Sequence, residues 1–392
     1  MSATHICDKC GHTFKQKSHL TQHQNRKKPC VVAETIRPTE GTVGALPLIA
    51  QAVICAEGAS PPAPTTKPTF VEVCAGCGGL SSGLMKAGFV PLLLNDNNKD
   101  CCATLLANHK GANVICAPME KLDLTPYIGK VDVLTGGIPC QSFSQAGLRK
   151  GLDDPRGELM GKFADMIHTI QPTIFMVENV KGLITHNAGE TIKEVIQLFN
   201  RDDLYDVDFR VLNAAEYSVP QKRERVFIVG KLKSRNIQFQ FPVKNETPIL
   251  LKHVLVNVPP SPCATYNADK IALYKQIPQG GCWVNLPENL QRTYLGNSFA
   301  SGGGKRGILY RLSMEKTSLT LLCSPSQKQT ERCHPLEERP LSVREYARIQ
   351  TFDDAYSFSG GITSQYKQIG NAVPVELARQ MGVCLARALV AV

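Results

Sequence analysis

No apolar run in this chain is long enough to cross a bilayer. The one strongly apolar stretch near the N-terminus, Ala45 to Ala56, falls well short of the ~20 residues a spanning helix needs. A basic-then-apolar leader is missing too, because the first residues carry His, Cys and Asp, which argues against secretion. Internal repeats are absent. Charged residues make up only 20% and hydrophobic ones 43%, an ordinary globular balance that excludes wholesale disorder and fibrous architectures. What is present is length and thiol: 392 residues suffice for two or three domains, and 15 cysteines without secretory features read as reduced side chains, some catalytic or metal-binding.

Net charge is +10, unevenly spread. Residues 1–30 hold Lys9, Lys15, Lys17, Arg26, Lys27 and Lys28 against Asp8, a net +5. A basic arm on a mildly basic body suits a polyanion, most simply nucleic acid; a solubilising tail is the plainer alternative. Prolines crowd Ala59–Pro68 and predict a semi-rigid linker over 31–69. From Phe70 the pattern alternates. Short apolar runs at Phe70–Cys74, Pro91–Asn95, Val131–Thr135, Thr173–Val177, Asp206–Leu212 and Val226–Gly230 predict strands. Helical patterns lie between them at Leu80–Ala87, Asp100–Asn108, Glu158–Ile170 and Thr191–Phe199. That rhythm predicts an α/β fold, a parallel sheet with helices on both faces. It breaks down over 232–338, where Pro, Gly and polar residues predict a small irregular domain inserted into the first. Helix returns at Ser342–Gln350 and Val373–Leu389, so 70–231 and 339–392 are expected to form one body.

Three clusters carry chemistry. Near the N-terminus, Cys7 and Cys10 are spaced C-x2-C and followed by Phe14, Leu20, His23 and Cys30. The pattern matches a ββα zinc finger, in which metal supplies most of the stability of so small a unit. Its last ligand is a Cys after six residues, where a His after three to five is usual. The Arg-Lys-x-Pro-Cys ending resembles a finger variant of large DNA viruses. One finger reads about three base pairs, so it is an accessory.

The second cluster follows the first strand. Ala75-Gly-Cys-Gly-Gly79 is a glycine turn that would let a nucleotide-like ligand approach backbone N–H groups, and Asp96 at the end of the next strand suits ribose hydroxyls. In the third, Gly136-Gly-Ile-Pro-Cys140 places a thiol on a shaped loop after a buried strand, a position fit for a nucleophile. Glu178-Asn179 ends the following strand, where a desolvated carboxyl can act as an acid. Gln221-Lys-Arg223-Glu-Arg225 offers guanidiniums for a carbonyl or phosphate.

With Arg339-Pro-Leu-Ser-Val-Arg-Glu-Tyr-Ala-Arg348 and Gly370-Asn-Ala-Val-Pro374, these motifs from Phe70 to Leu389 resemble, in order, a DNA cytosine-5 methyltransferase. The resemblance implies sequence-specific methylation of cytosine C5 in double-stranded DNA with S-adenosylmethionine as donor, through a flipped base and a covalent bond from Cys140 to C6. It assigns Glu178 to the N3 edge, Asn179 to bracing of the loops, and Arg225, with Arg223 secondarily, to O2 and the nucleophile loop. Cofactor contacts would come from Cys74, Ala75, Gly76, Gly78, Gly79, Asp96, Asn371 and Ala372. Two departures stand out: Cys74 replaces a frequent Phe, and Val114–Met119 lacks the usual acid beside adenine. Zinc would bind only the N-terminal finger, through Cys7, Cys10, His23 and Cys30.

The resemblance makes 232–338 a target-recognition domain, with Arg292, Lys305, Arg306, Arg311, Lys328 and Arg332 as candidate DNA contacts. Gln327–His334 lacks a partner C-x2-C and is not taken as a metal site. An RNA methyltransferase of the same fold and a silent DNA-binding protein are the alternatives; the Cys-Phe-Thr signature of tRNA-methylating relatives is absent, and Cys140, Glu178 and Arg225 are intact. A monomer inside the cell, in nucleus or cytoplasm and possible as a viral product, is the expectation, with no membrane partner. Restriction–modification, viral self-protection and epigenetic marking all fit.

Overall fold

The computed structural model describes residues 5–6, 13–14, 21, 67–138, 158–300, 307–327 and 331–390. Two compact units emerge, Met1–Ser60 and Pro61–Val392. In the first, β1 (His5–Ile6) pairs antiparallel with β2 (Thr13–Phe14). Cys7, Cys10, His23 and Cys30 lie outside the described residues.

The second unit is built on one sheet. Its strands are β3 (Thr69–Val73), β4 (Val90–Asp96), β5 (Val114–Cys116), β6 (Val133–Gly136), β7 (Ile174–Val180), β8 (Tyr205–Asn213) and β9 (Glu224–Leu232). Their order is β5-β4-β3-β6-β7-β9-β8. β5, β4, β3, β6 and β7 pair in parallel, but β9 runs against both β7 and β8. The expectation of a wholly parallel sheet is therefore corrected at Val226–Gly230. The cause is chain length: the ten residues between Asn213 and Glu224 cannot make a helical crossover, which needs a dozen or more.

Alternation along the strands sorts side chains to the two faces. Phe70, Phe227 and Val229 face Leu84 of the helix Gly79–Lys86 and Leu377, Met381 and Leu385 of the helix Val375–Val390. Val71, Val73, Phe175, Val226 and Ile228 face Phe163 and Ile167 of Glu158–Ile170 and Phe199 of Glu190–Phe199. Each such side chain contributes about 1.5–3 kcal/mol on burial, as an upper figure. Helices on both faces follow, as the alternating pattern predicts.

Beyond β9 the chain is mostly loops and short helices, as expected. Tyr266, Tyr274, Trp283 and Leu295 form one small core. A two-residue parallel pair, β10 (Tyr310–Arg311) and β11 (Arg332–Cys333), adjoins it. Leu251, Leu312 and Leu321 pack with Tyr346, Ile349, Tyr366 and Ile369 of the returning chain. The helix Val343–Ile349 opens with a capping box: Ser342 Oγ accepts from Glu345 N at 3.3 Å, and Glu345 Oε2 accepts from Ser342 N at 2.6 Å. The helix Ile362–Asn371 had not been expected from the sequence. Among the described residues no helix is long and apolar enough to cross a membrane.

Candidate active site

The carboxyl ends of β3, β4, β6 and β7 converge, as parallel strands with helical crossovers must. Cys74 leaves β3 with φ +51°, and Gly76 and Gly78 continue the left-handed turn at +57° and +84°. Gly78 has a second constraint: a Cβ there would stand 2.5 Å from His109 Nε2 and 2.6 Å from Tyr356 OH. Those two groups lock the turn from behind. Tyr356 OH donates to the Cys77 carbonyl at 2.5 Å and lies 3.1 Å from His109 Nε2. Burial pushes the His109 pKa down to about 4, so the ring is neutral.

Asp96 closes the turn from the neighbouring strand. Its Oδ2 accepts from Gly76 N and its Oδ1 from Asn98 N, both at 2.8 Å. Each oxygen keeps a second lone pair, the chemistry a ribose diol requires. Cys74 Sγ lies 3.6 Å from Met119 Sδ, and burial pushes its thiol pKa up to about 12, so the pair forms an uncharged sulfur ledge. At the end of β5, where no acid stands, Asn95 Nδ2 donates to Ile115 O and Ala117 O at 3.0 and 2.8 Å. Below the turn Glu72 is buried, its pKa pushed up to about 8 by desolvation, and its Oε2 has no hydrogen-bond partner. A glycine cradle, an acceptor pair and an orphaned carboxyl oxygen fit a nucleoside bearing a cationic amino-acid tail.

On the β7 side Glu178 and Arg225 make an ion pair, Nε to Oε1 at 2.9 Å, with side-chain exposures of 10% and 14%. Burial raises the Glu178 pKa, opposed by the charges of Arg225 and Arg223. Asn179 Nδ2 donates to the Ile138 carbonyl at 3.0 Å. The segment that leads to Pro139 and Cys140 is thereby tied to β7, although those two residues lie outside the described ones. Gly137 stands between the two halves: a Cβ on it would be 3.5 Å from Glu178 Oε2 and 3.9 Å from the Cys74 carbonyl.

Arg223 does something other than the expected O2 contact. Its side chain is buried, with Nη1 donating to Leu321 O at 3.1 Å and Nη2 to Gly370 O at 2.9 Å and Asn371 O at 3.3 Å. It braces the cofactor-side motif from behind, with its guanidinium on three backbone carbonyls. The structure thus gathers Glu178, Asn179 and Arg225 in one group and Cys74–Gly79 with Asp96 in a second. Ala372 is buried and Asn371 exposed at the end of the helix Ile362–Asn371.

A family model described as C-5 cytosine-specific DNA methylase matches residues 68–386. The chain belongs to that family. Its activity is accordingly methylation of cytosine C5 in DNA with S-adenosylmethionine as donor. The chain is 44% identical over 335 residues to the Type II methyltransferase M.PspPI of Psychrobacter sp., an alignment spanning 83% of this chain and 80% of that one. It is equally 44% identical to M.Eco47II of Escherichia coli over 80% of this chain and 78% of the relative. Among solved structures, a DNA modification methyltransferase encoded within an E. coli prophage superposes with TM-score 0.62 at 22% identity, over 82% of this chain and 99% of that one. The methyltransferase EhMeth of Entamoeba histolytica gives 0.62 at 15%, over 83% and 99%.

The family sheet also shows what the sequence reading overlooked. Glu72 was legible as the single charge in an apolar central strand. Tyr356 and His109 carried no local signal, since they reach the turn only through the fold. Of the candidate DNA contacts, Arg311 and Arg332 are buried and serve internal bonds, to Glu338 at 2.5 Å and to the carbonyls of Gly307 and Glu331 at 3.1 and 2.9 Å. This corrects their reading as free DNA-facing charges. Arg292 pairs with Glu288 and stacks on Phe299 at 4.5 Å. Lys305, Arg306 and Lys328 lie outside the described residues. Lys222, not singled out earlier, lines an open cavity of about 400 Å³ with Asn213, Glu224, Leu319, Thr320 and Arg332.

Proposed function

We propose that this methyltransferase acts at a specific duplex DNA sequence, with Cys140 as nucleophile and Glu178, Asn179 and Arg225 around the flipped cytosine. The Glu178–Arg225 pair, sealed into the sheet beside the segment that leads to Cys140, carries the reading. Cytosine C5 is too electron-poor to take a methyl group directly. The Cys140 thiolate adds to C6, and C5 becomes enamine-like. Glu178, whose pKa burial raises against the pull of Arg225 and Arg223, supports protonation at N3 and faces the exocyclic amine. Arg225 Nε is taken by Glu178 and Nη1 by the Glu224 carbonyl, which leaves Nη2 for the cytosine O2. Asn179 holds the approach of the nucleophile loop. Adenosylmethionine, when bound, supplies an electrophilic methyl on sulfur; Ala75–Gly79, Asp96, Asn371 and Ala372 would hold it, with Cys74 against the adenine. Water then removes the C5 proton and the C6–S bond breaks. Cys140→Ser abolishes methylation and leaves DNA binding intact. A 5-fluorocytosine duplex with donor becomes covalently attached at Cys140, and absence of that adduct by mass spectrometry sinks the assignment.

The N-terminal unit is read as a zinc-stapled accessory finger with Cys7, Cys10, His23 and Cys30 as ligands. The β1–β2 pair brackets Cys7 and Cys10, as a finger hairpin does. Among the described residues no group of three or more His, Cys, Asp or Glu is placed to hold a metal ion. Metal analysis of the full chain decides: one zinc, lost in Cys7→Ala, supports the finger, and no zinc removes it. The domain limits 31–69 for the linker and 232–338 for target recognition, a monomer, and an intracellular site complete the reading. Bisulfite sequencing of a plasmid grown with the enzyme reports the recognised sequence.

A further inference from the structure

Two distant segments meet back to back beside the cofactor turn. Leu321–Cys323 comes from the inserted region, and Gly370–Asn371 from the C-terminal motif. Their approach is so close that a Cβ on Gly370 would stand 2.3 Å from the Leu322 carbonyl oxygen and 2.9 Å from Cys323 N. Arg223 fastens both, through Leu321 O on one side and Gly370 O and Asn371 O on the other. On that seam Cys323 Sγ donates to Asn371 Oδ1 at 2.9 Å. Both residues are exposed, so the contact lies at a rim that a ligand can reach.

Burial raises the Cys323 pKa, although Arg223 and Lys367 pull the other way, so the sulfur keeps its proton and remains a donor. A carboxamide has an accepting and a donating end. Once a fixed thiol engages Oδ1, the amide orientation is set and its two N–H donors point elsewhere.

We propose that Cys323 is a positioning residue for the methyl donor, holding the Asn371 carboxamide so that its N–H groups meet acceptor atoms of adenosylmethionine. The inference rests on the reading of Asn371 as a cofactor residue. The test is calorimetric titration of the full-length protein with S-adenosylhomocysteine, for wild type, Cys323→Ala, Cys323→Ser and Asn371→Ala. Loss of one hydrogen bond predicts a Kd about 3- to 10-fold weaker for Cys323→Ala. Cys323→Ser, which keeps a donor, stays within about twofold. Asn371→Ala weakens binding at least as much as Cys323→Ala. In turnover, Cys323→Ala raises KM for the donor and leaves kcat unchanged.

If Asn371→Ala weakens binding and Cys323→Ala does not, the inference falls and the reading of Asn371 stands. If neither matters, both fall. If Cys323→Ser binds as weakly as Cys323→Ala, the thiol acts by packing, and the inference is wrong. A wild-type readout covers variants that fail to fold: saturating adenosylhomocysteine slows N-ethylmaleimide labelling of Cys323, mapped by peptide mass spectrometry. An unchanged labelling rate overturns the proposal.

Discussion

Glu72 and Glu178 are both carboxyls sealed against the sheet, but their neighbours separate them. Glu178 has two guanidiniums to oppose the cost of its charge; Glu72 has mainly Ser81, with Asp96 adding repulsion. The Glu72 pKa, raised from 4.5 to about 8, makes folding proton-linked. A carboxyl that holds its proton more tightly when folded favours the fold below its unfolded pKa, and that advantage is lost as pH rises through the folded one. The ligand-free protein should therefore lose a few kcal/mol of stability between about pH 4.5 and 8 on this account. Glu72→Gln should melt close to wild type at pH 5 and several degrees higher at pH 8.5; parallel melting curves across that range would refute the linkage. At Glu178 the expected effect is on chemistry. Glu178→Gln keeps a hydrogen-bonding side chain and loses the titrating proton, so single-turnover methyl transfer should slow by about 10²- to 10⁴-fold while DNA affinity holds.

Among the elements, the Val343–Ile349 helix shows how a motif doubles as structure. Ser342 and Glu345 close its first turn, and Arg339 grips Glu345 through Nη1 and Nη2 at 2.8 and 2.9 Å. Ser342→Ala should cost about 1 kcal/mol by urea titration with unchanged slope. The strands around the site were legible because apolar runs bounded by Gly, Pro and Asn left few other choices. β5 escaped notice because three residues carry no periodicity. The helix Ile362–Asn371 was hidden by glycines at 360, 361 and 370, one of which the Leu322 carbonyl demands. The reversal of β9 was readable from loop length alone. Arg223 was not: its spacing put it beside Arg225, and only the fold shows its guanidinium turned to three carbonyls.

For the molecule as a whole, charge and topology set the behaviour. Half of the +10 excess lies in residues 1–30. Their removal should weaken DNA binding most at low salt and flatten the salt dependence, with the methylated sequence unchanged. Gel-shift titrations from 50 to 200 mM salt, alongside bisulfite sequencing, check both halves; a changed target sequence would make the arm a reader of bases.

The helix Val375–Val390 covers the face of the sheet that also rests on Gly79–Lys86. A ribosome has by then exported almost the entire sheet, and one flank stays bare until the final turns emerge. The last strand of the sheet ends at Leu232, 143 residues before that helix begins at Val375, so at 5–20 residues per second the wait is roughly 7 to 30 seconds. Nascent chains should lean on holding chaperones for that interval, and a premature stop before Val375 should yield aggregate in place of a weakened enzyme.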